Sequence, residues 1–196
     1  MNKRVLLLLF HPRFETSVVN KYLLNAVSDM PNVRIHDVYE HYPDFNVAVK
    51  REQALLLEHE LVIFQHPFYW YNFPPLMKQW IDLVLEHGWA YGRSGNQLNH
   101  KWVFNAVTTG GAREAYSHEG RNSHTVGEFL FAMKQTCRLC GMTYLPPFVV
   151  HNANRASNAE LEAAANQYRK VLQRVSDAQF DPLMAASSPY LNDLIN

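Results

Sequence analysis

Five short segments with strand character recur along the 196-residue chain, and segments with helical periodicity separate them. The first run, Val5–Phe10, is continuously apolar, which is typical of a central strand that helices cover on both faces. The later runs are Val33–Val38, Leu61–Gln65, Trp102–Thr108 and Thr143–Val150. Strands that alternate with helices predict an α/β domain, in which helices pack on both faces of a parallel sheet. We expect three layers and the doubly wound strand order 2-1-3-4-5.

Helices are expected between and after these strands. They are predicted over Ser17 to Asp29, Val47 to Glu58, Pro74 to Leu85, Thr125 to Cys140 and Asn158 to Val175. Ser17 or Thr16 can cap the first helix, and Asn158 can cap the last one. A single domain then takes in residues 1–175. Residues 176–196 are expected to form a loosely ordered C-terminal arm, which could lie on a partner subunit.

Composition and charge favour a cytoplasmic protein. The 18 basic and 18 acidic side chains give a formal net charge of zero, so the bulk charge does not point to nucleic acid or to an anionic membrane surface. The apolar run near the N-terminus spans only six residues, too few for a secretory signal peptide. No later stretch approaches the ~20 apolar residues of a membrane-spanning helix.

The cysteines and histidines do not indicate a metal or a dithiol site. Cys137 and Cys140 have C-x-x-C spacing, but they end a predicted helix, so two half-buried thiols are a better interpretation than a redox motif. The ten histidines are scattered without the spacing of metal ligands. No metal site is therefore predicted.

Most of the unusual residues fall in three loops that follow predicted strands. The loops are His11–Ser17 after the first strand, Pro67–Phe73 after the third and Thr108–Gly120 after the fourth. In a doubly wound sheet the carboxyl ends of the strands meet at one edge, and ligands bind there beside the switch point. We therefore expect these loops to form one ligand site.

The first loop leads from a strand into a helix N-terminus, where backbone N–H groups and the helix dipole favour an anion. His11, Ser17 and Asn20 carry donors for phosphate oxygens. The chain contains neither G-x-G-x-x-G nor G-x-x-x-x-G-K-[ST], so a Rossmann dinucleotide site or a Walker NTPase is not indicated. A phosphate cradle is the favoured interpretation, and a capped helix with an incidental histidine is the alternative.

The second loop is aromatic. Five of the six residues from 68 to 73 are Phe, Tyr or Trp, too apolar a run to stay solvated without covering something or being covered. One interpretation is a flat platform for an isoalloxazine ring, with room for a second flat molecule. Plain packing or a dimer contact is the alternative, and a pocket between subunits would satisfy both.

These loops resemble those of a known family, the NAD(P)H:quinone oxidoreductases of the DT-diaphorase type. Phe64–Trp80 is similar to the central motif of that family, and Thr108–Gly111 resembles its second flavin loop. His11, Ser17 and Asn20 resemble its phosphate loop. The resemblance extends over the chain from about Val5 to Val175, and it implies a flavodoxin-like three-layer sandwich.

The same resemblance implies a cofactor and a reaction. FMN would be the usual flavin, with FAD in longer relatives, and two flavin sites would lie at the interface of a homodimer. NADH or NADPH would pass a hydride to the flavin and leave, and a quinone would then take its place in a ping-pong cycle. The implied FMN contacts are His11, Ser17, Val18, Val19 and Asn20 at the phosphate, and Phe68, Tyr69, Trp70, Tyr71, Thr108, Thr109, Gly110 and Gly111 around the ring.

A narrower resemblance points to a second role. Tyr42–Asn46, His87–Gly92 and the stretch from Trp102 to Thr109 are similar to the ancillary proteins of bacterial glutathione-regulated potassium efflux (Kef) systems. The chain would then activate a transporter from the cytoplasmic face of the inner membrane. Two hypotheses follow, a quinone reductase that also serves this role and a regulatory flavin-binding subunit with little or no turnover.

Proton delivery is where the chain departs from the family pattern. Tyr116 matches the family tyrosine that donates a hydrogen bond at the flavin edge. The family carries a histidine six residues further on, where this chain has Asn122. His118 and His124 flank that position and could substitute as catalytic groups, whereas solvated surface histidines are the alternative.

Overall fold

In the computed structural model, which describes residues 2–195, one parallel sheet lies between two layers of helices. The strands are β1 Val5–Leu9, β2 Val33–Asp37, β3 Leu61–Pro67, β4 Trp102–Thr108, β5 Thr143–Tyr144 and β6 Phe148–Val150. The helices are α1 Val19–Val27, α2 Val38–His41, α3 Val49–Leu57, α4 Pro75–Val84, α5 Val126–Phe129, α6 Phe131–Leu139, α7 Asn158–Ser176 and α8 Pro182–Ala186. Short 3-10 turns occupy Phe14–Thr16, Arg113–Ala115 and Leu191–Leu194.

The sheet has the order β2-β1-β3-β4, with β5 and β6 both pairing in parallel with β4. The predicted order 2-1-3-4-5 is confirmed, but the fifth strand is in two pieces. Trp102 faces Thr143 in the first piece, whereas Ala106 faces Phe148 in the second, so the register shifts by one residue between them. The interruption contains Pro146 and Pro147, which lack the N–H that a continuous ladder needs.

The two faces of the sheet are covered by different helices, because alternate residues of each strand point to opposite sides. On one face Leu6, Leu8 and Phe10 pack with the buried Trp80 of α4. On the other face the alternate residues of β1 pack with Tyr168 and the other apolar residues of α7. This explains the continuous apolar run of the first strand.

Several helix boundaries differ from the expectation. The predicted helix from Thr125 to Cys140 is two helices, α5 and α6, which meet at Leu130. The first helix starts only at Val19, and no side chain caps it, so the prediction that Ser17 or Thr16 is its cap was wrong. Ser157, in a capping box with Glu160, caps α7 in place of Asn158.

The C-terminal arm was also predicted wrongly. It packs on its own chain, where Phe180, Ala185 and Leu191 are buried in the core on the α7 side. The Asn192 carboxamide accepts a hydrogen bond from the N–H of Val149 at 2.8 Å and donates one to its carbonyl oxygen at 3.1 Å. The arm is therefore part of the folded domain, because its apolar residues complete the core.

Within residues 2–195, no helix is both long and apolar enough to span a bilayer.

Candidate functional site

A cavity of about 360 Å³ lies at the carboxyl ends of β1, β3 and β4. It is lined by His11, Thr16, Ser17, Val18, Val19, Asn20, Pro67, Tyr69, Thr108, Ala153 and Asn154. The first loop therefore meets the loops after the third and fourth strands at this edge of the sheet. The loop after β6 joins them, which the sequence did not indicate.

The first loop presents donors to the cavity. No side chain caps α1, so the N–H groups of its first turn have no side-chain acceptor. The N–H of Arg13 donates to Nδ1 of His11 at 3.2 Å, which leaves the ring proton on Nε2 of the neutral imidazole. Burial lowers the pKa of His11, and Glu15 opposes this only in part. His11 is thus a neutral donor beside an open helix N-terminus, the environment that binds phosphate.

Asn20 links α1 to the sheet beneath the cavity. The residue is only 1% exposed, and its amide donates to Ser17 Oγ at 3.3 Å and to Thr108 Oγ1 at 3.2 Å. Its own Oδ1 accepts from Nε2 of the buried Gln65 at 3.3 Å. Because both hydroxyl oxygens accept from Asn20, each keeps its hydrogen for an acceptor in the cavity. The structure thus gives Asn20 an orienting contact with both hydroxyl groups.

The aromatic loop turns sharply at its centre. The N–H of Asn72 donates to the carbonyl oxygen of Tyr69 at 3.0 Å, and Trp70 and Tyr71 between them have φ of 50° and 63°. This left-handed conformation is unfavourable for bulky side chains. Such strain is retained mainly where a local geometry serves a function. In this loop the strained turn leaves the indole of Trp70 in solvent, 92% exposed.

The four aromatic residues predicted to surround a ring have different environments. Tyr69 alone among them lines the cavity, 6.3 Å from the His11 ring between centroids. Phe68 is buried against Tyr116. Tyr71 stacks on Phe129 with ring centroids 5.1 Å apart. The loop is therefore partly a platform at the cavity and partly packing, as the two interpretations of the sequence allowed.

The turn after β4 is held by close contacts. An added Cβ on Gly110 would lie 3.1 Å from Nδ2 of Asn154, and one on Gly111 would lie 3.1 Å from Cε2 of Tyr116. These contacts leave little room for a side chain at either position. Thr109, which lies between β4 and the two glycines, is fully buried. The two glycines therefore allow the turn to pack closely against Asn154 and Tyr116.

The predicted catalytic residues are not gathered in one place. Tyr116 is buried beside Gly111, and burial raises its pKa, so its phenol keeps its proton at neutral pH. His118 is on the surface, where its Nε2 lies 3.0 Å from the Glu128 carboxylate, which raises the pKa of His118. Nδ1 of His124 lies 3.3 Å from the carbonyl oxygen of Asn122. Neither histidine lines the cavity.

The segment after β6 was missed by sequence reasoning. The N–H of Ala153 donates to the carbonyl oxygen of Thr109 at 2.9 Å, and that of Asn152 donates to the carbonyl oxygen of Gly111 at 3.0 Å. These bonds place Ala153 and Asn154 in the wall of the cavity. The segment carries no motif, and its position directly after the fifth strand was the one signal that could have indicated it.

One family profile, described as having a flavodoxin-like fold, matches residues 3–172. The chain belongs to this flavodoxin-like family. Its relatives include the glutathione-regulated potassium-efflux system ancillary protein KefG of Escherichia coli (strain K12 / DH10B). That protein is 42% identical over 165 residues, which make up 84% of this chain and 90% of KefG.

Solved structures agree with this assignment. The general stress protein 14 of Treponema denticola, in complex with FMN, is 35% identical with a TM-score of 0.83 over 87% of this chain and 98% of that chain. The NADPH-quinone reductase of P. pentosaceus is 25% identical with a TM-score of 0.78 over 89% of this chain and 98% of that chain.

A thermophilic tryptophan halogenase from Streptomycin violaceusniger is 43% identical with a TM-score of 0.83, over 84% of this chain and 96% of that chain. That name denotes a different chemistry from the other two structures. Membership of the flavodoxin-like family does not depend on it, because the family profile and KefG support it independently.

Proposed function

We propose that this protein is an FMN-dependent NAD(P)H:quinone oxidoreductase that works by ping-pong hydride transfer. The observation that carries the proposal is the uncapped N-terminus of α1, which opens into the cavity at the strand ends. Asn154 in the wall of that cavity lies against Gly110 of the glycine turn. His11, Ser17 and Thr108 place neutral donors around the same cavity. A phosphate at a helix N-terminus and a flat ring against a glycine turn require this combination.

The residues present fit FMN. The phosphate would be held by the first-turn N–H groups of α1, with His11 Nε2 and the hydroxyl of Ser17 as further donors. Glycine at positions 110 and 111 lets this turn pack against Asn154 and Tyr116, and the backbone of the turn would lie near the ring. Tyr69 supplies an aromatic wall at the cavity. The FMN complex of the Treponema denticola relative supports the same choice of cofactor.

In the proposed reaction, bound FMN supplies the centre that accepts a hydride from NADH or NADPH and passes it to the quinone. The protein orients the reactants and stabilises charge. The Gly110 and Gly111 N–H groups would offer backbone donors for negative charge at the edge of the ring. Tyr116 keeps its phenolic proton beside Gly111 and can donate a hydrogen bond there.

A homodimer would complete the site. An open groove of about 670 Å³ lies on the other side of the aromatic loop, lined by Tyr69, Trp70, Asn72, Phe73, Pro75, Lys78 and Ala132. Phe131 beside it is 63% exposed, and the Trp70 indole is almost fully exposed. An apolar surface of this kind is typical of a protein interface. A second copy would cover it and leave a slot for the nicotinamide or the quinone.

The direct test is to purify the protein and measure flavin absorbance. NADH and NADPH oxidation would then be followed with and without a soluble quinone. We expect bound FMN, quinone-dependent oxidation and parallel lines in double-reciprocal plots. Bound flavin without turnover on any quinone would overturn the reductase proposal, and absence of FMN binding would overturn the flavin site.

A second role is supported by the 42% identity to KefG over most of both chains. In this role the protein is an ancillary activator that docks on a potassium efflux transporter at the cytoplasmic face of the inner membrane. The test is potassium efflux from cells that carry the transporter with and without this chain. Equal efflux in both would remove this role, and a reductase-inactive variant that still activates would favour the regulatory subunit.

A further inference from the structure

The ring of His151 is hydrogen-bonded to the Thr109–Gly111 turn, which follows Thr108 of the cavity wall and packs against Asn154. Its Nδ1 lies 3.1 Å from Oγ1 of Thr109, and the same hydroxyl donates to the carbonyl oxygen of Gly111 at 3.0 Å. Because a hydroxyl has one hydrogen, Thr109 accepts from His151 when it donates to Gly111. The hydrogen bonds therefore run in one direction, from His151 through Thr109 to the glycine turn.

The other ring nitrogen is unpaired. Nε2 of His151 is buried, and among the described residues it is the one buried side-chain nitrogen or oxygen atom with no hydrogen-bond partner. The ring lies between two tyrosines, 5.7 Å from the centroid of Tyr116 and 5.7 Å from that of Tyr190. Burial and then the Arg113 charge lower the pKa of His151 to about 4, with Glu114 opposing, so the ring is neutral at pH 7. The Thr109 hydroxyl donates to Gly111, which assigns the hydrogen of the ring to Nδ1.

A histidine kept for packing alone would not be expected to bury an unpaired nitrogen, because such a group is unfavourable. The ring is retained here for the donor on its other side. We infer that His151 is a positioning residue, whose Nδ1–H fixes the Thr109–Gly111 turn in the shape that receives the flavin. This inference rests on the proposed function and extends it to a residue outside the three predicted loops.

Substitution by asparagine and by glutamine distinguishes the roles of the two ring nitrogens of His151. The amide nitrogen of asparagine can occupy the place of Nδ1, whereas that of glutamine reaches the place of Nε2. We expect His151→Asn to retain FMN binding, with a dissociation constant close to that of the wild type. We expect His151→Gln and His151→Leu to weaken binding by about tenfold or more. The measurement is quenching of flavin fluorescence, together with the flavin midpoint potential.

Equal dissociation constants and potentials in the Asn, Gln and Leu variants would overturn the inference while leaving the flavoprotein proposal intact. Two measurements on the flavin-free protein do not depend on that proposal. Nitrogen-15 NMR of the imidazole should show hydrogen on Nδ1. A double-mutant cycle of His151→Leu with Thr109→Val should show coupling in the free energy of unfolding.

If the wild type binds no FMN, the proposed function fails. The coupling free energy between His151→Leu and Thr109→Val then decides whether His151 holds the turn. Hydrogen on Nε2 or independent effects of the two substitutions would reject the hydrogen bond itself.

Discussion

The hydroxyl of Tyr71 donates a hydrogen bond to Oδ1 of Asn122 at 3.3 Å. Asn122 is the position at which quinone reductases of the resembled family carry a histidine. The contact places this position beside the aromatic loop, and the side chain present there cannot carry a proton between pH 5 and 8. If the resemblance places Asn122 correctly, the chain has at this position a side chain that hydrogen-bonds but does not titrate.

Substitution Asn122→His should supply a titratable group beside Tyr71. We expect the kcat of quinone reduction to rise by about threefold to tenfold, with a new ionisation near pH ~6.5 in its pH profile. The measurement is steady-state turnover between pH 5 and 8. Asn122→Ala is the control, since it removes the same hydrogen bond and adds no ionisable group. A flat profile in both variants would show that this position takes no part in proton delivery.

Substitution Gly110→Val should weaken FMN binding. A Cβ there meets Asn154 Nδ2 at 3.1 Å, so the branched side chain would displace Asn154 from the wall of the cavity. We expect the dissociation constant to rise by at least about tenfold. Gly127 is the control, because an added Cβ there has only an ordinary contact at 3.8 Å. Gly127→Ala should leave binding unchanged and raise stability by up to about 1 kcal/mol. Unchanged affinity in Gly110→Val would mean that the pocket is placed wrongly.

Substitution Trp70→Asn should stabilise the fold and impair the reaction. Asn tolerates the left-handed conformation better than Trp, and within one subunit the exposed indole has little packing to lose. We expect the free energy of unfolding to rise by about 1 kcal/mol, while turnover with quinone falls. In the matched variant Tyr71→Asn, the relief of backbone strain should be offset by the loss of the ring stack of Tyr71 on Phe129. Urea unfolding and steady-state kinetics measure both effects. A destabilised Trp70→Asn would show that the indole is held by contacts in solution.

A buried carboxylate away from the cavity should set the acid limit of stability. Glu52 accepts hydrogen bonds from Tyr42 OH at 2.7 Å and Trp80 Nε1 at 2.8 Å, and its Oε1 lies 3.0 Å from Nε2 of His36. Burial acts to raise the pKa of Glu52, but these three partners together hold it below the usual value. Its contribution is therefore present above the unfolded pKa and is lost as the pH falls through the folded pKa.

We expect Glu52→Gln to lower the free energy of unfolding by about 3 kcal/mol at pH 7, with a smaller difference in acid. The exposed Glu58, paired with Arg34, is the control, and its Gln variant should change stability little. Denaturant unfolding at several pH values measures both. A difference between Glu52→Gln and wild type that does not shrink in acid would contradict the assignment of the charge.

The sheet could be predicted from sequence because its central strands β1, β3 and β4 are short, largely apolar runs, and a parallel sheet buried on both faces allows few other patterns. The break in the fifth strand depends on how Pro146 and Pro147 sit against β4, which local periodicity does not encode. The arm was misjudged because its apolar residues are separated by polar ones. Their burial depends on a surface that forms only when α7 and the sheet have met.

The candidate site was predictable to the extent that it follows strand ends. His11 and Ser17 were found from their place before a helix. His151 and Asn154 could not be found, since their importance comes from hydrogen bonds and contacts across the fold to Thr109 and Gly110. The solvent-facing turn at Trp70 was also unpredictable, because a left-handed conformation at a bulky residue runs against local preference.

The hydrogen bonds between Asn192 and Val149 protect an edge of the sheet. By both accepting from and donating to one residue of β6, the Asn192 carboxamide imitates a neighbouring strand along the outer side of the sheet. An unprotected strand there would be a template for pairing with another chain. We therefore expect the terminal segment to oppose aggregation by covering this strand. A chain shortened before Tyr190 would be expected to associate edge to edge.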